Sequence, residues 1–196
     1  MNGVRGAVVA SVAALVCGAA VGVGVSANNA ALPVGGKVIA KVPIPQGYGG
    51  FAVGEGAVWA MSDLVSTLTR INPQGNGVAA RIKVEPVNPC PPYVCGEPAA
   101  GDGAVWVPRA SDNTVSRINL SGNTVTARIP VGPQPISIAV TQGAVWVANS
   151  GGPSISRIDP ATNKVVATIR VGPPRAASDR GYITAGGGAI WMSCAR

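Results

Sequence analysis

The chain has 196 residues, with 15 Lys and Arg against 8 Asp and Glu, and 47% of its residues are hydrophobic but only 4% aromatic. It contains no histidine, which excludes Ser-His-Asp and Cys-His nucleophile systems, HExxH zinc sites and imidazole general bases. The 27 glycines and 17 prolines argue against helical bundles and favour one turn-rich β domain, or a part of one.

Residues 1–27 have the pattern of a secretory signal peptide. Arg5 is followed by an uncharged run over residues 6–27, which is rich in Ala and Val and ends in residues that suit a signal peptidase. At about 1.5 Å per residue in a helix, this run is also long enough to cross a bilayer, so an uncleaved membrane tether is the alternative. Both interpretations predict an exported protein, secreted or held at the cell surface, with a linker over residues 28–36.

Two cysteines that lie five positions apart predict a local disulfide. Cys90 and Cys95 belong to a proline-rich stretch, and an exported protein permits disulfides. Cys194 is then left over, and a free thiol, an intermolecular bridge and a partner in a continuation of the chain are the alternatives. A single C-x4-C pair does not make a zinc site, and we expect neither a metal nor a cofactor.

One tetrapeptide, Gly-Ala-Val/Ile-Trp, recurs four times and uses every tryptophan of the chain. It ends at Trp59, Trp106, Trp146 and Trp191. Eleven residues after each of the first three tryptophans comes Arg-Ile, at Arg70, Arg117 and Arg157. A turn rich in Asx, Pro and Gly and then a β-branched segment follow. The unit of about 40 residues is typical of a four-stranded propeller blade.

The third unit predicts its strands most clearly. They are an inner strand over Ile136–Val140, a second over Ala144–Ala148, a third over Ser154–Ile158 and an outer one over Val165–Val171. Tight turns are expected at Gln142-Gly143 and its equivalents, where Gly suits a positive φ.

Applied along the chain, this pattern predicts an all-β propeller of antiparallel four-stranded blades over residues 37–196. A lone outer strand over Lys37–Ile44 precedes three complete units and the first two strands of a fourth, which makes about 3.5 to 4 blades. The ends combine into an imperfect fourth blade, or the chain is part of a larger propeller. In the second case, which we favour, the open blade edges invite self-association or a partner.

The segments Gly143–Ser150 and Ser156–Pro160 resemble the YVTN or NHL-like propeller repeats, and the resemblance covers Lys37 to the end. It implies a β-propeller but leaves the function open, since such propellers host many activities. Virginiamycin B lyase-like proteins are the enzymatic branch to which the repeats are most similar. That resemblance implies a histidine base and acidic residues around a divalent metal, and this chain has no histidine.

The connections that precede each tetrapeptide vary in length and predict the binding face. All three tyrosines lie there, Tyr48, Tyr93 and Tyr182, and the last connection also carries Arg175 and Arg180. Tyr and Arg on loops are common ligand-contact residues, whereas ordinary surface loops are the alternative.

The repeated tryptophans and arginines are predicted to be structural. One indole per blade would pack between neighbouring sheets, and each arginine would cover apolar neighbours and pair its head with a carbonyl or an Asp. The basic residues are scattered at the repeat spacing, so we expect no nucleic-acid surface. The sequence thus predicts a noncatalytic module that binds an unidentified protein or small molecule. The alternative is a streptogramin lyase-like or metal-dependent lactonase-like enzyme whose catalytic groups lie in blades outside this chain.

Overall fold

The computed structural model describes most of the chain beyond its amino terminus. The described residues are 10–16, 21–27, 40–47, 49–84, 96–171 and 181–193. Within them, the only helical element is a 3-10 turn over Asp63–Val65, and no helix has the length and hydropathy needed to cross a bilayer. The predicted linker over residues 28–36 lies outside this part of the chain.

The described strands form five antiparallel sheets. The first contains β1 (Ala10–Val16), β2 (Val21–Ala27) and β3 (Lys41–Val42). Blade 1 contains β4 (Phe51–Gly54), β5 (Ala57–Ser62), β6 (Thr67–Asn72) and β7 (Gly77–Lys83). Blade 2 contains β8 (Ala99–Gly101), β9 (Ala104–Arg109), β10 (Thr114–Asn119) and β11 (Thr124–Pro130). Blade 3 contains β12 (Pro135–Thr141), β13 (Ala144–Asn149), β14 (Ser154–Asp159) and β15 (Lys164–Arg170). The last sheet contains β16 (Ile183–Gly186) and β17 (Ala189–Met192).

These sheets confirm the predicted all-β propeller architecture. In each complete blade the four strands pair in chain order, and the strands of blade 3 lie within one residue of the predicted bounds. The first strands β4, β8, β12 and β16 lie next to one another, and the outer strands β7, β11 and β15 do so less closely. The blades are therefore arranged around an axis, with their first strands innermost.

Tight turns join the first two strands of blades 1 and 2. Glu55 and Gly56 have φ values of 53° and 70°, and Asp102 and Gly103 have φ values of 55° and 73°. Two consecutive residues with positive φ make a type I′ turn, whose twist matches that of the flanking strands. The glycine predicted there is needed because L side chains rarely adopt this conformation.

The turn between the third and fourth strands is the same in all three complete blades. Its first residue is an Asn or Asp whose side chain accepts a backbone hydrogen bond, as Asn72 Oδ1 does from Gln74 N at 2.9 Å. Its last residue is an Asn in the left-handed region, with φ of 51° at Asn76, 50° at Asn123 and 56° at Asn163. We call these the outer turns.

The hydrophobic core lies between the blades. Trp59, Leu68 and Ile82 of blade 1 pack against Val105, Val107 and Ile118 of blade 2. Trp106, Val115 and Ile129 of blade 2 pack in the same way against Val145, Val147 and Ile158 of blade 3. Blade 2 thus buries both faces, because blades 1 and 3 cover its two sides.

The burial of the tryptophans follows this stacking. Trp59 and Trp106 are fully buried, as predicted, and Trp146 is half-buried against the last sheet. The prediction is wrong for Trp191, which is 62% exposed. The reason is that, among the described residues, no further sheet covers the face of the last sheet on which Trp191 lies.

Candidate functional site

One edge of the propeller carries all the connections between blades. Because the strands of a blade alternate in direction, the turns after the second strands and the connections between blades emerge on the same side. We call this side the connection face. Among the described residues, it is formed by 63–66, 84, 96–98, 110–113, 131–134, 150–153, 171 and 181–182.

Of the residues predicted to bind a ligand, Tyr182 is described, and it lies on the connection face directly before β16. Its side chain is 43% exposed, and its backbone is held by hydrogen bonds with Ser193, from Tyr182 N to Ser193 Oγ at 3.0 Å and from Ser193 N to Tyr182 O at 2.8 Å. An exposed phenol on a fixed backbone is available for contact with a partner.

The other predicted residues lie outside the described part of the chain. They are Tyr48, Tyr93, Arg175 and Arg180, together with Cys90 and Cys95 of the predicted disulfide. The structure therefore does not bring them together with Tyr182, and these interpretations stay predictions.

The structure adds three polar residues that the sequence analysis missed. Ser62, Arg109 and Asn149 each lie three positions after a repeated tryptophan, at the end of a second strand, and all three are buried. The sequence does repeat a polar residue at this position after an apolar strand. A polar residue there is equally typical of an exposed turn, so the pattern did not predict burial. At Ser62 and Arg109 this position donates a hydrogen bond to a backbone carbonyl of a distant segment.

Arg109 connects blade 2 to blade 1. The residue is only 7% exposed, and Nη1 donates to Val84 O at 2.7 Å. Nε and Nη2 donate to the Asp112 carboxylate at 3.0 and 2.9 Å, and Asp112 also accepts from Thr114 Oγ1 at 2.8 Å. Burial alone would raise the pKa of Asp112, but the hydrogen bonds from Arg109 and Thr114 and the charge of Arg109 outweigh it, so this pKa lies below its ordinary value.

The side chains of Ser62 and Asn149 donate hydrogen bonds to other groups of the protein. Ser62 Oγ donates to Pro45 O at 2.8 Å, which ties the chain before blade 1 to the end of β5. Asn149 Nδ2 donates to the hydroxyls of Ser154 and Ser156 at 3.1 and 3.0 Å. Asn149 Oδ1 and Gln134 Oε1 are buried and have no hydrogen-bond donor among the described residues.

Two further carboxylates hydrogen-bond to turns of the protein. Glu55 Oε1 accepts from Gly103 N in the next blade at 3.1 Å. Asp159 accepts from the hydroxyl of Thr162 at 2.8 Å and from Ala161 N at 2.9 Å, and these bonds lower its pKa. Within the described residues, no three His, Cys, Asp or Glu side chains come together as metal ligands.

The repeated arginines lock adjacent blades on the side opposite the connection face, as their predicted structural role requires. Each guanidinium lies over the tryptophan of its own blade, with distances to the ring centroid of 5.2 Å for Arg70, 5.2 Å for Arg117 and 5.5 Å for Arg157. The first two also reach the outer turn of the next blade. Arg70 Nη1 donates to Leu120 O at 3.0 Å and to Asn123 Oδ1 at 3.2 Å. Arg117 Nη1 donates to Pro160 O at 2.8 Å and to Asn163 Oδ1 at 2.9 Å.

No protein-family model matches this sequence, and no curated protein matches it. Among solved structures, the chain is similar to virginiamycin B lyase from Staphylococcus aureus, with 21% identity and a TM-score of 0.63 over 81% of this chain and 53% of that one. A streptogramin B lyase gives 19% identity and a TM-score of 0.64 over 79% and 51%.

A third similar structure is a functionally unknown protein from Desulfotomaculum acetoxidans, with 17% identity and a TM-score of 0.63 over 91% of this chain and 61% of that one. At such low identity these likenesses show the fold alone. The chain spans about half the length of the two lyases that it resembles. It is a β-propeller chain.

Proposed function

We propose that this chain is an exported, noncatalytic propeller module that binds a protein or small molecule through its connection face. The observation that carries the proposal is the exposed Tyr182 on a fixed backbone at that face. Tyrosine offers a large contact area at a small cost in side-chain entropy, and loops held by a rigid scaffold are the usual place for binding residues.

The sequence places further residues of the same types in these connections. Tyr48, Tyr93, Arg175 and Arg180 belong to the segments that precede blade 1, blade 2 and the last sheet. Arg109 does not belong to this set, because Val84 and Asp112 already occupy its donors. Export is supported by the charge and hydropathy pattern of residues 1–27.

The proposal is tested by capturing binding partners on the immobilised full chain. We expect a ligand that the wild-type chain retains and that Tyr182→Ala retains about tenfold less well, with an unchanged melting temperature. Val166→Ala is the matched control, because Val166 is 51% exposed, about half like Tyr182, but lies on an outer strand away from the connection face. Equal retention by wild type and Tyr182→Ala would overturn the proposal.

A second candidate is a streptogramin lyase-like or lactonase-like enzyme whose catalytic groups lie outside this chain. The structural likeness to virginiamycin B lyase favours it. Gene sequence beyond Arg196 that supplies further blades with His and Glu would support the enzyme, whereas a stop codon there would support the binding module. Conversion of virginiamycin B in the presence of Mg²⁺ by a longer gene product that contains those blades, followed by mass spectrometry, would also support the enzyme.

A further inference from the structure

The outer strands of the three complete blades carry basic side chains at the same end. These residues are all exposed, and they are Arg81 and Lys83 of β7, Arg128 of β11 and Arg170 of β15. Each lies among the last three residues of its strand, at the end that leads to the connection face. Residues that are scattered in the sequence therefore come together at one margin of the propeller. We call these four residues the basic band.

The side chains of the basic band all lie on the same face of their blades. Each pairs across to a Ser or Thr of the third strand, namely Thr69, Thr67, Ser116 and Ser154. The residues beside them, Ile82, Ile129 and Ile155, lie on the other face and pack against the following sheet. Because neighbouring residues of a strand alternate between its two faces, the basic band lies on the faces turned away from the following sheet.

The basic band has no acidic counterpart on the outer strands. Strands β7, β11 and β15 contain Lys and Arg but no Asp or Glu. On the connection face, Asp112 is already paired with Arg109, and Asp63 is buried. Glu97 lies before the innermost strand β8, away from the outer margin. The charge at this margin is therefore positive, and it complements an anionic partner.

We propose that the basic band binds a flexible linear polymer of phosphate groups that carries no bases. The polymer runs along the outer margin from blade 1 to blade 3 and places a phosphate at each basic side chain. Neighbouring outer strands approach within 8 Å, Cα to Cα, so one polymer can reach consecutive blades. Lys83 donates to Val65 O at 3.2 Å, which occupies only one of its three N–H donors. The basic band is separate from Tyr182, which precedes an innermost strand.

The geometry favours such a polymer over other anions. One exposed ion pair is weak, so a single phosphate is poorly retained, whereas a polymer adds several contacts in one molecule. The three outer strands contain no aromatic residue on which a base could stack. The first strands are innermost, so the outer strands follow the convex side of the ring. A flexible polymer can follow this curve, whereas a flat bilayer would meet fewer of the blades.

Protection of the strand edges is the simpler explanation of these charges. Charged side chains on edge strands prevent the addition of further strands. Acidic residues, or charges anywhere along the strand, would serve that purpose equally well. The outer strands instead carry one sign of charge, and its members gather at one end in all three blades.

The proposal is tested by titrating inorganic polyphosphate into the full chain and following binding by calorimetry. Binding should be saturable and should weaken as salt is added, because each contact releases a counterion from the polymer. With four contacts of about 0.7 each, the slope of log Kobs against log salt concentration should be about −3. Monomeric phosphate at the same total phosphate concentration should not compete.

Two variants of β15 separate the basic band from the net charge of the protein. Arg170→Gln and Lys164→Gln each remove one positive charge from an exposed residue, at opposite ends of the same strand. Arg170→Gln should weaken polyphosphate binding about fivefold and reduce the salt slope by about 0.7. Lys164→Gln should weaken it less than twofold, because Lys164 lies outside the basic band and opposite Asp159. If Arg170→Gln does not fold, Arg81→Gln replaces it in this comparison.

Four results would overturn the proposal. The first two are the absence of saturable polyphosphate binding and equal losses in Arg170→Gln and Lys164→Gln, which would indicate a response to net charge alone. The third is unchanged affinity in a variant of the basic band that aggregates more readily, which would indicate edge protection. The fourth is tighter binding of a thymidine oligonucleotide or of phosphatidylglycerol vesicles at equal phosphate concentration, which would assign the surface to a different partner.

Discussion

The indole of Trp106 lies directly opposite Arg117, whose guanidinium carbon is 5.2 Å from the ring centroid. The same guanidinium donates to Pro160 and Asn163 of the next blade. One arginine therefore covers the buried tryptophan of its own blade and also hydrogen-bonds to the following blade. Because Arg70 and Trp59 repeat this arrangement, it can be tested by comparing equivalent positions.

Replacing Trp106 by Ala should cost about 3 to 5 kcal/mol of unfolding free energy, because the side chain is fully buried between blades 2 and 3. Urea unfolding followed by circular dichroism would measure this. Trp191→Ala is the matched control, since its indole is mostly exposed, and its cost should stay below about 1 kcal/mol. Equal losses would contradict the packing described for the two indoles.

The outer-turn asparagines should differ in their importance. Asn163→Gly keeps the positive φ but removes one of the two acceptors of Arg117 Nη1, whereas Asn76 accepts no arginine among the described residues. Asn163→Gly should therefore destabilise the protein by about 1.5 kcal/mol more than Asn76→Gly, as measured by urea unfolding. The difference should disappear in an Arg117→Gln background, and its persistence there would show that the hydrogen bond is not its cause.

Acid should lower the free energy of unfolding, partly because it protonates Asp112. Its pKa is lowered in the folded state, so its contribution is fully present above the ordinary carboxyl value of about 4 and is lost as the pH falls through the folded value. Between pH 5 and pH 3, wild type should lose more stability than Asp112→Asn, by less than about 1 kcal/mol because the carboxylate is partly exposed. Parallel curves for the two proteins would contradict this.

Alanine replacements of two turn glycines should show how much a positive φ costs in stability. Gly103 has φ of 73°, and no atom lies within 4 Å of the point that an added Cβ would occupy, so Gly103→Ala should cost about 1 kcal/mol through backbone strain alone. Gly75 lies in an outer turn without positive φ, and Gly75→Ala should be neutral or slightly stabilising. Melting temperatures of the two variants would measure the contrast, and a stabilised Gly103→Ala would refute it.

The sequence was sufficient for the blades because their signals are local. The tetrapeptide that ends in tryptophan, the Asx turns and the β-branched outer strands recur at fixed spacing, and the strands of blade 3 lie where the spacing predicts them. The acceptors of Arg70 and Arg117 lie 43 to 53 positions away, and only the stacking of blades brings them together.

The site was harder to predict because its contacts also join residues that are far apart in the sequence. Arg109 follows an apolar strand and looks like the first residue of an exposed turn, yet Val84 of the neighbouring blade makes it a buried link. Tyr182 lies in a connection, and that place in the repeat is enough to predict its exposure. The repeat position of Trp191 predicts burial, because the equivalent Trp59 and Trp106 are buried in blades 1 and 2. Burial at this position depends on a covering sheet and not on the residue itself.

The outer-turn contacts of Arg70 and Arg117 have a direction, since each donor belongs to an earlier blade and each acceptor to the next one. When a later blade detaches, the half-buried guanidinium of the earlier blade loses its hydrogen-bond acceptors. When an earlier blade detaches, only a turn oxygen loses its donor, and water can replace that donor. By these contacts blade 1 should detach more easily than blade 3, with amide exchange faster in β4 to β7 than in β12 to β15.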